Sequence, residues 1–418
     1  MSGIGEATVY TLLFISLYFE VFLLVTFLER RGGRRALSTV KYAGALPRVC
    51  IVVPCFNEEK TLARTMQSIF ALWYPRELLD TIIVDDGSTD GTLQIAEEFV
   101  RACPVVGAER HTIRVFHKEN GGKHTALNLA IQNTDAEIIG CLDADSSVAE
   151  DALMRVIPVF ENPEISAVTP GVHVRKPKTA LQHIQNAEYT LSVFNRFMFA
   201  ALGSVFITPG AFSIYRTSVI RELGGWRHGH STEDMELALR MQQNGHKIAN
   251  APAAAVYTAT PKTLVALFHQ RVRWTYGFLR NFIDYRFMFG NRAYGNLGLF
   301  ILPTALISIV TGIYFFARVL WYGLKNLYDM FERIQITGIV PHPSLDLFYF
   351  NTSALLMISV VTILLVLILI SAGSWIGTGR RMPPAGTPLF ILLYGLIVLL
   401  WISTAVFRAV FKTGVRWR

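Results

Sequence analysis

Between Leu355 and Ala372 the chain runs for 18 residues without a charge. As a helix this stretch rises roughly 27 Å at 1.5 Å per residue. That is close to the hydrocarbon thickness of a bilayer, and a buried helix of a soluble domain is the weaker alternative. The stretch lies in an apolar run over Leu347–Ala372, and similar runs cover Leu297–Leu320 and Leu389–Phe411. A fourth, Ala7–Leu28, is uncharged apart from Glu20. Basic residues follow it (Arg30, Arg31, Arg34, Arg35) instead of preceding it. That order predicts a membrane anchor with a short external N-terminus, not a cleaved leader.

Composition agrees. Only 17% of residues are charged, against about 25% in ordinary soluble proteins. The mean hydropathy of +0.37 excludes a disordered chain. The net charge of +8 would suit nucleic acid, but the basic residues sit mainly on membrane flanks and form no single soluble patch. No nucleic-acid partner is therefore expected. The four cysteines (Cys50, Cys55, Cys103, Cys141) lack metal or disulfide spacing.

Residues 49–292 read as a soluble domain. Strand-like runs at Val49–Pro54, Thr81–Val84, Ile113–His117 and Glu137–Leu142 alternate with helical patterns at Thr61–Leu72, Thr92–Val100 and Thr125–Gln132. Such alternation predicts an α/β layer with a mainly parallel sheet, whose ligands bind at the carboxyl ends of the strands. The boundaries drawn from this pattern are a transmembrane helix at 1–28, a catalytic α/β domain at 49–260, interfacial amphipathic helices at 261–292 and about three spans within 293–418. The charges Lys325, Asp329, Glu332, Arg333 and Asp346 predict a near-neutral external loop. Three C-terminal spans put the tail outside, whereas Arg408, Lys412, Arg416 and Arg418 favour the inside.

Acidic residues gather at the strand ends. Ile82-Ile83-Val84 runs into Asp85-Asp86-Gly87-Ser88, and Gly140-Cys141-Leu142 runs into Asp143-Ala144-Asp145. In an extended chain residues i and i+2 share a face, so Asp143 and Asp145 can aim at one site. Two hard oxygen ligands suit Mg²⁺ or Mn²⁺, completed by water and phosphate. The bland reading is turn chemistry, since Asp is common after strands. Asn120-Gly121-Gly122-Lys123 is a glycine turn whose amides and lysine can meet phosphate, although neither a P-loop nor GxGxxG is present. Ser231-Thr232-Glu233-Asp234 opens a helix and is explained equally well by capping. Gln270-Arg271-Val272-Arg273-Trp274 lies in a basic, aromatic stretch, Leu264–Phe289, at helical spacing.

Together with Val53-Pro54-Cys55-Phe56-Asn57-Glu58, these motifs occur in an order and spacing that resemble the membrane-bound, processive branch of glycosyltransferase family 2. That branch includes hyaluronan, chitin, cellulose and poly-N-acetylglucosamine synthases. The resemblance covers roughly residues 49–292 and the flanking spans. It implies a GT-A catalytic domain, Rossmann-like and mainly parallel, joined to α-helical membrane segments. It also implies an inverting, metal-dependent enzyme that moves sugar from a UDP-sugar, with UDP-N-acetylglucosamine favoured, to a growing β-linked polysaccharide or oligosaccharide acceptor. Export through its own spans and a bacterial inner-membrane location with a cytoplasmic catalytic domain belong to the same expectation, with membrane lipid as the remaining partner.

By resemblance, Asn57, Glu58, Asp85 and Asp86 hold the nucleoside, and Lys123, Gln270 and Arg273 the diphosphate. Asp143 and Asp145 hold Mg²⁺ or Mn²⁺, and Asp234 is the general base. Glu233, Trp274 and the Thr208–Phe212 loop around Gly210 face the acceptor. The chain departs from cellulose synthases in lacking their Phe-x-Val-Thr-x-Lys gating segment, and its tail is only faintly similar to those of hyaluronan synthases. A glycolipid-forming transferase is the rival on the same fold. An inactive channel or binding protein is the non-enzymatic rival, and loss of Asp234 or of Asp-x-Asp would have marked it.

Six basic residues within 20 positions of the first span (Arg30, Arg31, Arg34, Arg35, Lys41, Arg48) place the following domain inside. Cys103 is therefore expected to resist a membrane-impermeant thiol reagent on intact cells and to react after lysis. Labelling from outside would overturn this topology.

Overall fold

The computed structural model describes residues 3–29, 44–102, 112–338 and 354–411. The flanking residues Arg30 to Lys41, Cys103, Asp346 and the tail beyond Phe411 lie outside that set.

Helix α1 (Gly3–Glu29) comes first. An eight-stranded mixed sheet follows, built from β1 (Val49–Cys55), β2 (Leu79–Asp85), β3 (Thr112–His117), β4 (Ile138–Cys141), β5 (Ser146–Val148), β6 (Ile165–Val174), β7 (Ser213–Arg216) and β8 (Lys247–Thr258). Its spatial order is β3-β2-β1-β4-β7-β6-β8-β5. The expected parallel arrangement holds for β3-β2-β1-β4 and again for β6-β8, while β4-β7, β7-β6 and β8-β5 are antiparallel.

Helices cover both faces of the sheet. Val49, Ile51 and Val53 pack with α2 (Leu62–Phe70) and α3 (Thr92–Ala102) on one side. Cys50 and Val52 pack with α4 (Lys123–Gln132) on the other. Burial on both faces explains why β1 reads as continuously apolar instead of alternating. Each fully buried aliphatic side chain stabilises the layer by about 1.5–3 kcal/mol. Pro54, which lacks an N–H, is tolerated in this central strand because pairing with β4 ends two residues earlier, at Val52↔Cys141.

After α5 (Ala152–Val156), helix α6 (Ala180–Ala201) leaves β6. Thr179 starts it with a capping box in which its hydroxyl accepts from the Gln182 N–H. Helices α7 (Thr217–Glu222) and α8 (Glu233–Gln243) follow, and α9 (Leu264–Asp284) carries the basic, aromatic stretch. Two short 3₁₀ turns at Arg286–Met288 and Arg292–Tyr294 then lead into the membrane region.

Among the described residues, four helices are long and apolar enough to cross a bilayer: Ala7–Glu29 within α1, Leu297–Ile336, Leu356–Thr378 and Thr387–Val410. This is a membrane protein. The second span contains α10 (Leu302–Thr337), the third contains α11 (Ala354–Thr378), and the fourth is named α12 here. In the expected near-neutral connection that carries Lys325 to Asp346, the described residues are helical as far as Thr337. Lys325, Asp329, Glu332 and Arg333 continue α10, which at 36 residues is roughly 54 Å long and exceeds the bilayer core. Charges at i,i+4 spacing suit an exposed helix end as well as they suit a loop. The Tyr328 hydroxyl donates to Glu332 Oε1 at 2.8 Å along that face.

The catalytic layer and the membrane helices meet at α6. A Cβ at Gly373 of α11 would lie 2.2 Å from the carbonyl oxygen of Thr190, and one at Gly377 2.9 Å from the His173 ring. Small residues permit this close backbone approach. Gly373→Ala is expected to overpack the contact and destabilise the protein by about 1–3 kcal/mol. Gly323→Ala, where a Cβ meets nothing within 4 Å, should cost nothing. Thermal unfolding of the two variants in one detergent checks this, and equal Tm values would refute the contact's importance.

Candidate active site

The carboxyl ends of β1, β2 and β4 lie side by side, which brings three of the acidic motifs to one edge of the sheet. Asn57 follows β1 in the left-handed region at φ 57°, a conformation that Asn tolerates better than most residues. Its N–H donates to Ser88 Oγ at 2.9 Å and its Oδ1 accepts from the Thr89 N–H at 2.8 Å. Glu58 donates its N–H to Thr92 Oγ1 at 2.7 Å and accepts from the Thr61 hydroxyl.

Asp85 is fully buried, with Oδ2 2.6 Å from His117 Nδ1. Asp86 accepts from Lys118 Nζ at 2.6 Å, from the Gly121 N–H at 3.1 Å and from the Gly122 N–H at 2.8 Å. The glycine-turn amides that were candidates for a phosphate are thus engaged by an internal carboxylate. Asp86 clasps the turn that starts α4.

Lys123, the first residue of α4, is nearly buried. Its Nζ lies 2.8 Å from Asp143, 3.4 Å from Glu233 and 3.6 Å from Asp234. Burial alone would lower its pKa, but the carboxylates of Asp143, Asp234 and Glu233 hold the ammonium well above its ordinary value. Three sequence motifs that are far apart in the chain therefore share one cation.

Gly210 is the backbone joint of this cluster. Its N–H donates to Asp234 Oδ2 at 2.8 Å, and its carbonyl accepts from the Asp143 N–H at 3.0 Å. The Thr208 hydroxyl donates to the Asp234 carbonyl at 2.8 Å. Thr232, at the N-cap position of α8, makes no side-chain cap. The carboxylate of Asp234 is directed at Gly210, so capping does not account for it. Burial, with Glu233 and Asp143 nearby, pushes Asp234 up to about 7 against the lowering effect of Lys123. Asp145 is pushed up to about 6 by burial and then by Asp143. It accepts from the Ser146 hydroxyl at 3.0 Å.

Helix α9 approaches from the membrane side. A Cβ at Gly277 would lie 2.3 Å from Thr232 Oγ1, and Asn281 Nδ2 donates to that same oxygen at 2.8 Å. The helix bearing Gln270, Arg273 and Trp274 is thereby seated against the segment that presents Asp234. The segment itself is bent, with Gly229, His230 and Ser231 all at positive φ. The buried Gln270 Oε1 has no partner among the described residues, while Arg273 and Trp274 are half-buried. Arg271 lies over Trp274, its guanidinium carbon 4.5 Å from the ring centroid.

Residues 47–277 match the family model described as glycosyltransferase like family 2, more than half of the chain. The chain belongs to glycosyltransferase family 2. Among relatives of this family 2 glycosyltransferase, a poly-β-1,6-N-acetyl-D-glucosamine synthase of Staphylococcus epidermidis is 28% identical over 316 residues, covering 72% of this chain and 73% of the relative. A β-monoglucosyldiacylglycerol synthase of a Nostoc strain is 30% identical over 275 residues, covering 63% of this chain and 58% of that protein. A mannosyltransferase of Pyrobaculum calidifontis, solved with GDP-mannose and Mn²⁺, superposes with a TM-score of 0.55 at 18% identity, over 96% of this chain and 99% of that one. That likeness carries the fold, a GT-A sheet followed by apolar helices.

A methyl group at Gly210 would fall 2.2 Å from Lys123 Nζ, 2.8 Å from Asp234 Oδ2 and 3.0 Å from Asp143 Oδ1. Gly210→Ala should leave the fold in place, because the ends of side chains can move aside. Displacing them by about 1 Å should lower turnover about 10²-fold. Turnover within threefold of native, at unchanged Tm, would show that the joint does not set the geometry.

Proposed function

We propose that this transferase moves a sugar, with N-acetylglucosamine favoured, from its UDP donor onto a growing β-linked saccharide with inversion at the anomeric carbon. The observation that carries the reading is the convergence of Asp234, Asp143 and Lys123 on Gly210. It sets a candidate base beside a candidate diphosphate site. The activity for which the staphylococcal relative is named supports a polysaccharide product and the N-acetylglucosamine donor. The spans adjoining α6 and α9 make product export across the same membrane part of the proposal.

Asp143 and Asp145 suit a divalent cation. Of these two neighbouring carboxylates, Asp145 is drawn toward its protonated form by burial and then by Asp143, a pairing that a cation would relieve. Among the described residues no group of three acidic, His or Cys side chains forms a closed cage. That fits Mg²⁺ or Mn²⁺, which keep water and substrate phosphates as the remaining ligands. Bound there, such an ion would offset the charge that develops on the leaving diphosphate.

The chain's own groups supply the rest. The Asp234 carboxylate, fixed by the Gly210 N–H, takes the proton of the acceptor hydroxyl as that oxygen attacks. Lys123 and Arg273 add positive charge on the diphosphate side, and Trp274 offers a flat face to the acceptor sugar. Asn57, Glu58, Asp85 and Asp86 shape the nucleoside end. Asp85 and Asp86 act there mainly by fixing the loops, since their oxygens already hold His117, Lys118 and the glycine turn.

A second reading, addition of a single sugar to a lipid, is favoured by the Nostoc relative at similar identity. Incubation of the purified protein with single UDP-sugars and Mg²⁺ or Mn²⁺, with and without EDTA, separates the two. Metal-dependent UDP release with a long product supports the first reading, and a product one sugar larger than its lipid acceptor supports the second.

Asp234→Asn tests the base. The amide oxygen can still accept from Gly210, so the shape persists while the basic lone pair is lost. Turnover should fall by about 10²–10⁴, roughly 3–5 kcal/mol, with UDP-sugar binding little changed. Because native Asp234 keeps its proton up to about 7, kcat/KM should decline as pH drops through neutrality. Turnover within about threefold of native would move the base elsewhere, with Glu233 next.

A further inference from the structure

Arg271 is the residue of the Gln270–Trp274 segment to which neither the motifs nor the reaction assign a task. It is a buried cation, its side chain 8% exposed, on the face of α9 that meets α6. Its Nη2 lies 2.7 Å from Glu188 Oε2, and its planar group covers the Trp274 ring at 4.5 Å. Residues i and i+3 of a helix are surface neighbours, so the stacking follows from the spacing of 271 and 274. The Arg271 Nε is buried without a partner among the described residues. The guanidinium thus sits over the indole with one N–H left unpaired among the described residues. Tyr394 of α12, at the end of the π-helical turn Phe390–Tyr394, packs against the cluster formed by Leu267 and Val272 of α9 with Trp401. Its ring also meets Trp401 at 5.6 Å.

Stability is a poor explanation for this arrangement. A buried ion pair is often no better than apolar residues of the same volume. Holding an aromatic ring in one orientation is a task that such a pair performs well, because the planar guanidinium fixes one face of the indole and leaves the other for a ligand. π-helical turns also cluster at functional sites.

We propose that Glu188 and Arg271 are positioning residues that lock the Trp274 indole as the platform for the acceptor sugar, and that Tyr394 ties this platform to the last membrane helix. The proposal rests on the reading that Trp274 meets the acceptor.

The test uses the full chain in detergent, with an oligosaccharide of the sugar that the native protein transfers. UDP release is measured against acceptor concentration, and separately against donor concentration, for Glu188→Gln, Arg271→Lys, Tyr394→Phe, Trp274→Phe and the Tyr394→Phe/Trp274→Phe pair. Glu188→Gln and Arg271→Lys should raise acceptor KM about tenfold, the scale of a desolvated cation–π contact. Donor KM should stay within about twofold, a difference under ~0.5 kcal/mol. Tyr394→Phe should act in the same direction, and adding it to Trp274→Phe should change nothing further, as expected for coupled residues. Lys at 271 keeps the charge but not the plane, so its failure to rescue distinguishes positioning from simple charge pairing. Should Glu188→Gln fail to fold, the Tyr394 series decides alone. A native acceptor KM in Glu188→Gln and Tyr394→Phe, alongside a raised one in Trp274→Phe, overturns the positioning role and leaves the acceptor reading intact. A native acceptor KM in Trp274→Phe overturns both.

Discussion

The acidic groups at this site are joined through the backbone of one residue. Gly210 gives its N–H to Asp234 and takes the N–H of Asp143 on its carbonyl. Backbone hydrogen bonds hold position better than long side chains do, because few rotors must be ordered to make them. One residue thus sets the distance between the end of β4 and the start of α8. The absence of a Cβ leaves room for the Lys123 ammonium, which answers the negative charge of both carboxylates and of Glu233. Without that cation three acidic groups would converge in a poorly solvated place, at a cost of several kcal/mol per uncompensated ion.

The sheet makes this convergence possible. Parallel strands β2, β1 and β4 deliver their carboxyl ends to one edge, so Asp85, Asn57 and Asp143 arrive together although 86 positions separate the first and last. Only the strand ends need be specified by sequence. The short, β-branched runs and the acidic turns that follow them carry that specification, which is why the layer and the motif residues were readable from the chain. Their partners were not. Nothing local shows that Asp86 binds the Gly121 and Gly122 amides, or that Lys123 faces carboxylates before it faces phosphate, because those pairings arise only when distant segments fold together. Glu188 left no signal at all, being one acid in an ordinary helical stretch. The helical start of the connection from Lys325 to Asp346 was illegible for a different reason: composition alone cannot separate an exposed helix end from a polar connection.

Capping and catalysis made the same local claim on Thr232-Glu233-Asp234, and the tertiary contacts argue against capping. A capping carboxylate bonds to its own helix. Asp234 bonds across to Gly210, and the Thr232 hydroxyl bonds to the Gly229 carbonyl and Asn281 instead of to the first turn of α8. The helix start is therefore held from outside, by the loop at 208–210 and by α9. A residue kept in place by other elements can aim a buried, partly desolvated carboxylate at another segment instead of at its own helix.

The same two helices, α6 and α9, bound the site and receive the membrane spans. Thr190 of α6 meets Gly373 of α11, and two residues earlier Glu188 pairs with Arg271 beneath Trp274. A rigid helix transmits position over two residues with almost no loss, since its backbone is fixed by its own hydrogen bonds. The height of the Trp274 ring above the spans is therefore set by packing between backbones and by one ion pair, with no flexible loop between them. On the proposed reading, in which sugars are added to a saccharide entering the membrane, that rigidity keeps the acceptor end at one depth from one addition to the next.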